Sequence, residues 1–470
     1  MRNETIPAGW ARAELGDVVT PVRQQVTPAE QPNTYFNYLS IENVASGSGR
    51  LVNFRPTIGR DIRSAKYRFT PKDLLYSKLR PYLNKVHLPS FNGISATDLV
   101  PLRPSDGISR EYIAYYLRTQ AVVEYAREHV RGIQLPRLPM NDLLSLRLRI
   151  PPTKEQVRIV FKIEELFNHL EAARQALNKV PSLMQQFRRS VLAKAFRGEL
   201  TERDSGNGSA VELLERVKLA RRKKWEDQLG VRGSRNYSEP VGPDTTSLPV
   251  YPREWSLASL QQIAFVERGK FSFRPRNDKR FYGGKHPFIQ TGDISNSSGR
   301  IRSFKQTLND SGLAISKMFK RGTIMVAIAA NIGDSAILEF DGCAPDSVVG
   351  ITCVEPILPE YVEFYIRTRR SDLERFAPAT AQKNINLRIL NPLAIPIPPI
   401  AEQERIIRRI SEGLATADLV EAQTRDTSNK LESLMESILV QAFHGELVPQ
   451  DPNDEPAEGL LARLKVSSAV

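Results

Sequence analysis

The chain has 470 residues, 41% hydrophobic and 25% charged, enough apolar content for roughly two to four packed domains and too much for a disordered chain. Its 66 Lys and Arg against 53 Asp and Glu leave a net charge of +13, a balance that points to a polyanionic partner. Two cysteines, Cys343 and Cys353, and five scattered histidines exclude a disulfide framework and a four-ligand zinc site. No apolar run reaches the ~18 residues of a membrane helix. The polar start MRNETIPAGW has no signal-peptide core, so a cytoplasmic location without membrane association is expected.

Residues 1–150 carry 21 basic against 13 acidic side chains. Short β-branched or aromatic runs broken by Pro and Asn, such as DLLYSKLRPYLNKVHL, predict strands and turns. EYIAYYLRTQAVVEYAREHV instead predicts one helix of about five turns, with Ile113, Tyr116, Leu117 and Val123 on one side. This first segment is read as a globular α+β domain. Residues 151–230 open on Pro151-Pro152, after which Thr153 is placed to cap a helix. Val160, Ile163, Phe167, Leu170 and Leu177 follow at alternating three and four spacing, with Arg174 in the remaining slot, a narrow seam that requires a partner helix. Pro181 marks a kink or break, and Gly198, followed by Leu200, stands where a helix ends in the left-handed conformation. Residues 231–248 read as a linker. Residues 249–397, 20 basic against 14 acidic, form a second α+β domain with strand-like GTIMVAIAANIGDSAILEF. Residues 398–470 are a second helical segment with Ile407, Ile410, Leu414, Leu431, Leu434 and Ile438 as its seam, closing at Gly445 and Leu447, and are acidic.

The two helical segments are copies. Pro151, Pro152, Glu155, Gln156, Arg158, Ile159 and Ile163 recur 247 positions later as Pro398, Pro399, Glu402, Gln403, Arg405, Ile406 and Ile410. The same offset pairs LAKAFRGEL with LVQAFHGEL. The globular parts are less alike, but Trp10 answers Trp255, and EYIAYYLRT answers EYVEFYIRT. The two seams satisfy each other most simply as an antiparallel helical pair within the chain, with a globular domain at either end. Forty-residue helices would span roughly 60 Å, room for two readers about one turn, ~34 Å, apart on a duplex.

Catalytic and metal motifs are not found. There is no GxxxxGK[ST] loop, Asn391-Pro392-Leu393-Ala394 lacks the second proline and aromatic of an amino-methyltransferase tetrapeptide, and Pro345-Asp346 is followed by no metal-nuclease Glu-x-Lys pair. What remains is a non-catalytic binder. Clusters of basic, amide and aromatic side chains in Gly- and Pro-broken loops suit base edges and phosphates, because Arg reads guanine and Gln or Asn reads adenine. In the first domain these are Arg23, Gln24 and Gln25; Lys78, Arg80, Tyr82 and Lys85; and Arg131, Gln134 and Arg137. In the second they are Lys270, Arg274, Arg276, Lys279 and Arg280, then Gln382, Lys383 and Asn384. Taken singly each is an ordinary solvated residue; the clustering carries the argument.

IPAGW and YPREW, LYSKLRPYLNKV, TGDIS at Thr291–Ser295, the doubled EQ motif and the doubled AF-x-GEL motif together resemble the specificity subunit of type I restriction-modification systems, over essentially the whole chain. The resemblance implies two target recognition domains, each reading one half of a split, asymmetric site in double-stranded DNA. It implies helices that set the spacing and dock two methyltransferase subunits, and through them two restriction subunits. Glu155, Gln156, Ile163, Phe167, Leu170, Phe196, Glu402, Gln403, Ile410, Leu414 and Phe443 are the residues expected to build the spacer and its docking surface. No cofactor is expected on this chain; S-adenosylmethionine, ATP and Mg would sit on the partners. Residue pattern alone leaves two other readings open: a DNA-binding regulator acting by itself, which would bind specifically as an isolated chain, and a helical scaffold, which would not retain DNA.

Overall fold

The computed structural model describes residues 6–202, 208–229, 237–246, 248–376 and 384–468. Helices α1 (Arg110–Leu117), α2 (Thr153–Leu177), α3 (Val180–Phe196), α4 (Ala210–Leu229), α5 (Pro359–Thr368), α6 (Ile400–His444) and α7 (Ala457–Ser468) carry the repeat. In it α5 answers α1, α6 answers α2 with α3, and α7 answers α4. The chain divides into two compact units, Met1–Lys179 with Thr424–Val470, and Val180–Gln423. Each helical segment is therefore divided between the two units.

In the first unit, strands Ala11–Glu14 and Arg147–Ile150 pair antiparallel with Ala11 opposite Ile150, so the globular domain closes on itself directly before Pro151. Ala11 and Ala13 are buried while Arg12 and Glu14 are exposed, the period of two expected of a half-covered strand. Inside this closure lie two four-stranded sheets. One orders Val19–Pro21, Leu99–Pro104, Leu74–Ser77 and Val86–His87; the other orders Gln25–Val26, Lys66–Phe69, Gly93–Ser95 and Tyr38–Leu39. Leu74–Ser77 is buried at every position, as a strand covered on both faces must be. One core joins this domain to Ile159, Val160 and Ile163 of α2, Ile438, Leu439, Ala442 and Phe443 of α6, and Ala457 and Leu460 of α7.

The second unit repeats the plan. Ser256–Ser259 pairs antiparallel with Ala394–Ile397, enclosing a five-stranded and a four-stranded sheet. Its core includes Val191, Ala195 and Phe196 of α3, Leu213 and Val217 of α4, and Ile406 and Ile410 of α6. Here α3 and α6 run antiparallel. Thr201, just past α3, donates to Glu402 at 3.2 Å, while Arg188 donates to Glu421 at 2.7 Å and to Asp418 at 2.5 Å. Between these contacts Val191 closes over Gly413, where a Cβ would stand 3.3 Å from both Val191 methyl carbons.

Local expectations were met unevenly. The five-turn helix is two helices, Arg110–Leu117 and Gln120–Glu128. Thr119 turns its hydroxyl back onto the Tyr116 carbonyl at 2.8 Å, and the Arg118 carbonyl takes the Asn84 side-chain amide at 2.8 Å instead of a helical N–H. Thr153 is the first residue of α2, not its cap, and its hydroxyl donates to the Gly107 carbonyl at 3.0 Å. The first long helix is interrupted after Leu177, with Pro181 second in α3, where its missing N–H costs nothing. Leu434 of the expected seam is about half exposed. Both predicted helix ends are present. Gly198 (φ +71°) donates to Ala195 and Glu199 to Lys194, and Gly445 (φ +76°) donates to Ala442 and Glu446 to Gln441. These are the paired bonds of a Schellman motif.

Candidate nucleic-acid interface

In the first domain the turn between Leu74–Ser77 and Val86–His87 packs against a second loop, residues 131–137. Arg80 and Asn84, both left-handed (φ +49° and +50°), bracket a short 3-10 helix, Pro81–Leu83. The Arg80 N–H donates to the Pro136 carbonyl at 2.8 Å, and the Lys78 carbonyl accepts from Leu138 N–H at 2.8 Å. Arg137 forks onto Asp98 at 3.0 and 2.9 Å, and the Lys78 amine lies 3.6 Å from the same carboxylate. The fold thus gathers Lys78, Arg80, Tyr82, Arg131, Gln134 and Arg137 into one junction, with Arg80, Tyr82, Arg131 and Gln134 exposed. Lys85 belongs to it only in part, because its amine donates to the Ile41 carbonyl at 2.8 Å. Arg23, Gln24 and Gln25 are exposed at and just before the edge strand Gln25–Val26 of the other sheet.

The second domain rebuilds this junction with other side chains. The backbone bridge between Leu79 and Arg137 is matched by one between Ala329 and Asn384, and the left-handed turn position is Ala330 (φ +62°) instead of an arginine. Its cations come from elsewhere. Arg276, Lys279 and Lys305 line a cleft of about 750 Å³ together with Asn277, Gln290 and Gln306. Asp346 accepts from Arg274 at 2.9 Å and also from Arg276, aiming both guanidinium groups. Arg280 donates to Asp278 at 2.7 Å, holding that carboxyl below its ordinary range, and stands 5.2 Å over the Phe273 ring. Lys270 is exposed beside Phe271, whose bulk is buried. Gln382 and Lys383 lie outside the described residues. Gln290, Lys305 and Gln306 were passed over in the sequence, although Lys305-Gln306 is the same basic-amide pairing as Arg23-Gln24. Among the described residues no cluster of three or more His, Cys, Asp or Glu is arranged to hold a metal, and no helix is long and apolar enough to cross a membrane.

The repeated helical motifs face inward. Glu155 is buried and accepts the Trp10 indole N–H at 3.0 Å; Glu402 accepts that of Trp255 at 3.1 Å. Gln156 donates to the Pro151 carbonyl and Gln403 to that of Pro398, both at 3.0 Å, while Gln156 also accepts the Ser109 N–H. Burial raises the Glu155 pKa against the opposing effect of its Trp10 and Gln450 donors. Ile163, Phe196, Ile410 and Phe443 are buried, and Phe167, Leu170 and Leu414 partly so. Glu155, Glu402, Gln156, Phe167, Phe196 and Phe443 tie helices to globular domains. The outward faces of α2 carry Val157 and Phe161, about two-thirds exposed, which lie off the seam and were missed; the second copy has Glu404 and Arg408 there.

Comparison with known proteins accords with this doubled plan. The type I restriction modification DNA specificity domain matches residues 7–181 and again 252–427. The specificity subunit of the type I restriction enzyme EcoDI from Escherichia coli is 29% identical over 225 residues, 46% of this chain and 50% of that one. That of EcoKI from Escherichia coli strain K12 is 22% identical over 494 residues, 99% of this chain and 96% of its own. The crystal structure of the HsdS subunit from Thermoanaerobacter tengcongensis shares the fold, with a TM-score of 0.63 at 19% identity over 95% of this chain and 99% of that one. A chain from a type I R-M system solved to explain its complex assembly and conformational transition gives a TM-score of 0.70 at 18% identity, over 94% and 100%. With two matched domains in tandem spanning most of its length, the chain belongs to the family of type I restriction-modification specificity subunits.

Proposed function

We propose that each globular domain reads one half of a bipartite, asymmetric DNA site, and that the helical segments set the spacing and dock two methyltransferase subunits, through which two restriction subunits join. The chain itself is non-catalytic in this reading. S-adenosylmethionine, ATP and Mg belong to the partners, and the complex methylates adenines and works in the cytoplasm. The observation that carries the proposal is the contrast between frame and surface. The two Trp–Glu contacts, the two closing strand pairs and the two Schellman ends are alike, whereas the exposed junctions differ, Arg80 and Arg137 in one and Ala330 and Asn384 in the other. Alike frames suit two copies of one partner, and unlike surfaces suit unlike half-sites.

The test is to co-express the chain with its modification subunits and map the methylated adenines of the host genome. A two-part motif is expected, and exchanging residues 1–150 for those of a relative should change one part only. Tight, salt-sensitive binding to the target should require the partners. Equal affinity of the assembled complex for random duplexes would reject the proposal, and specific binding by the isolated chain would favour a regulator acting alone.

A further inference from the structure

Residues 132–136 of the first domain form a loop built to protrude. Arg131 N–H donates to the Arg137 carbonyl at 2.8 Å and Arg137 N–H returns a bond to Arg131 at 2.9 Å, so the loop is closed at its base. The base is anchored three times more: Arg137 forks onto Asp98, Pro136 accepts from Arg80, and Leu138 is fully buried. Gly132 turns the chain at φ +94°. At the tip Ile133 is 101% exposed and Leu135 49%. An isoleucine this exposed gives folding no apolar burial, and here it lies on a loop pinned at its base. The Arg131 side chain is 78% exposed, with its guanidinium 3.6 Å from the Asp142 carboxylate, and exposed Arg80 and Tyr82 lie in the loop packed beside it.

An exposed loop with cations at its base and Ile133, Gln134 and Leu135 at its tip suits a DNA groove, where the cations meet phosphates and the tip meets base edges. The apolar feature of the major groove is the thymine C5-methyl. Taking the reading of this domain as a DNA reader as its basis, we infer that Ile133 enters the major groove and contacts a thymine methyl in the half-site of the first domain. The backbone bonds at its base restrict the loop, which lowers the ordering entropy that opposes such a contact.

The assembled complex with its modification subunits is titrated with duplexes carrying the mapped target, each thymine of that half-site replaced singly by uracil, which removes only the methyl. One replacement should weaken binding about three- to fivefold, the worth of one buried methyl-sized group. Ile133→Ala should weaken binding to the parent duplex similarly, and should bind the parent and that uracil duplex equally. An unchanged thermal midpoint for Ile133→Ala, a side chain with nothing packed on it, shows that folding is intact. Parent-like binding of every uracil duplex by the wild type overturns the contact, as does a uracil penalty that persists in Ile133→Ala. Failure of the DNA reading itself would look different: the wild-type complex would not distinguish target from random duplex.

Discussion

Phe443 packs edge-on against Tyr112 with ring centroids 5.1 Å apart at 62°, and Phe196 meets Tyr361 at 5.2 Å and the same angle. The phenylalanine at the end of the long helical run in each copy, Phe196 or Phe443, thus serves the globular domain of the other copy. The tyrosines are themselves anchored, with the Tyr112 hydroxyl donating to the Arg149 carbonyl at 2.8 Å and that of Tyr361 to Pro396 at 2.6 Å, each on the closing strand of its domain. Phe443→Ala should therefore cost about 3–5 kcal/mol in the unit Met1–Lys179 with Thr424–Val470, leaving the unfolding of Val180–Gln423 unchanged. Phe196→Ala should do the reverse. Hydrogen exchange resolved by peptide reads both, and loosening of the same unit by both variants would contradict the crossed packing.

Gly198 and Gly445 are constrained twice over. Both are left-handed, and a Cβ would stand 2.4 Å from the Pro252 Cγ in one case and 2.5 Å from the Pro7 Cγ in the other. Alanine must then strain the backbone and displace the proline that leads into Trp255 or Trp10. Either substitution should destabilise its unit by about 1–3 kcal/mol. Gly322 has a similar φ, +84°, with nothing within 4 Å, so Gly322→Ala isolates the backbone contribution. A drop in thermal midpoint no larger than that of Gly322→Ala would show that the proline contact is unimportant.

Much of the frame was legible because it repeats. The copied Glu-Gln pairs marked the helix starts, the copied tryptophans the domain starts, and Gly198 and Gly445 the ends of the long helices, and the structure places the Glu-Gln pairs and the tryptophans as inward contacts. The antiparallel reading gave the general partnership of the helices, but not the side chains that make it. Nothing in LAKAFRGEL says that Phe196 will pack on Tyr361 and not on Tyr112, since the two tyrosines sit in nearly the same local sequence. The candidate contact residues stand out in the sequence as clusters, but their geometry does not. Lys78 and Lys85 look equivalent in the sequence, yet one flanks a shared carboxylate and the other is held by the Ile41 carbonyl. Gln290 and Gln306 are hydrogen-bonded across 16 positions, a neighbourhood set by strand pairing that no short motif encodes.

Glu155 supplies a pH-dependent test. Burial raises its folded pKa above the ordinary glutamate value, so the folded state holds its proton more tightly than the unfolded chain. The stability linked to that proton is fully present below the unfolded pKa and is lost as pH rises through the folded value. Glu155→Gln keeps a carbonyl oxygen to accept the Trp10 indole N–H without a charge to bury. The variant should therefore gain stability relative to wild type as pH rises from about 4 to about 7.5, a span that crosses the glutamate range. Urea midpoints at the two ends measure this, and a relative loss for the variant would reverse the assignment.

Asp346 controls two cations near the cleft of the second domain. Its carboxylate accepts from Arg274 and Arg276, and its backbone carbonyl accepts from Arg268. An arginine aimed by a carboxylate is prepared for one base geometry, while its charge is partly offset before any phosphate arrives. Asp346→Asn should release both side chains toward phosphate. In the assembled complex, binding to random duplex should strengthen and the slope of log K against log salt should steepen by about one, while discrimination for the target falls. On the proposed reading, in which residues 249–397 recognise one half-site, the relaxation should be confined to that half, and methylated-adenine mapping should show one degenerate half beside one intact half. Unchanged salt slope and unchanged discrimination would mean that Asp346 only braces the loop, and equal relaxation of both halves would break the link between this domain and a single half-site.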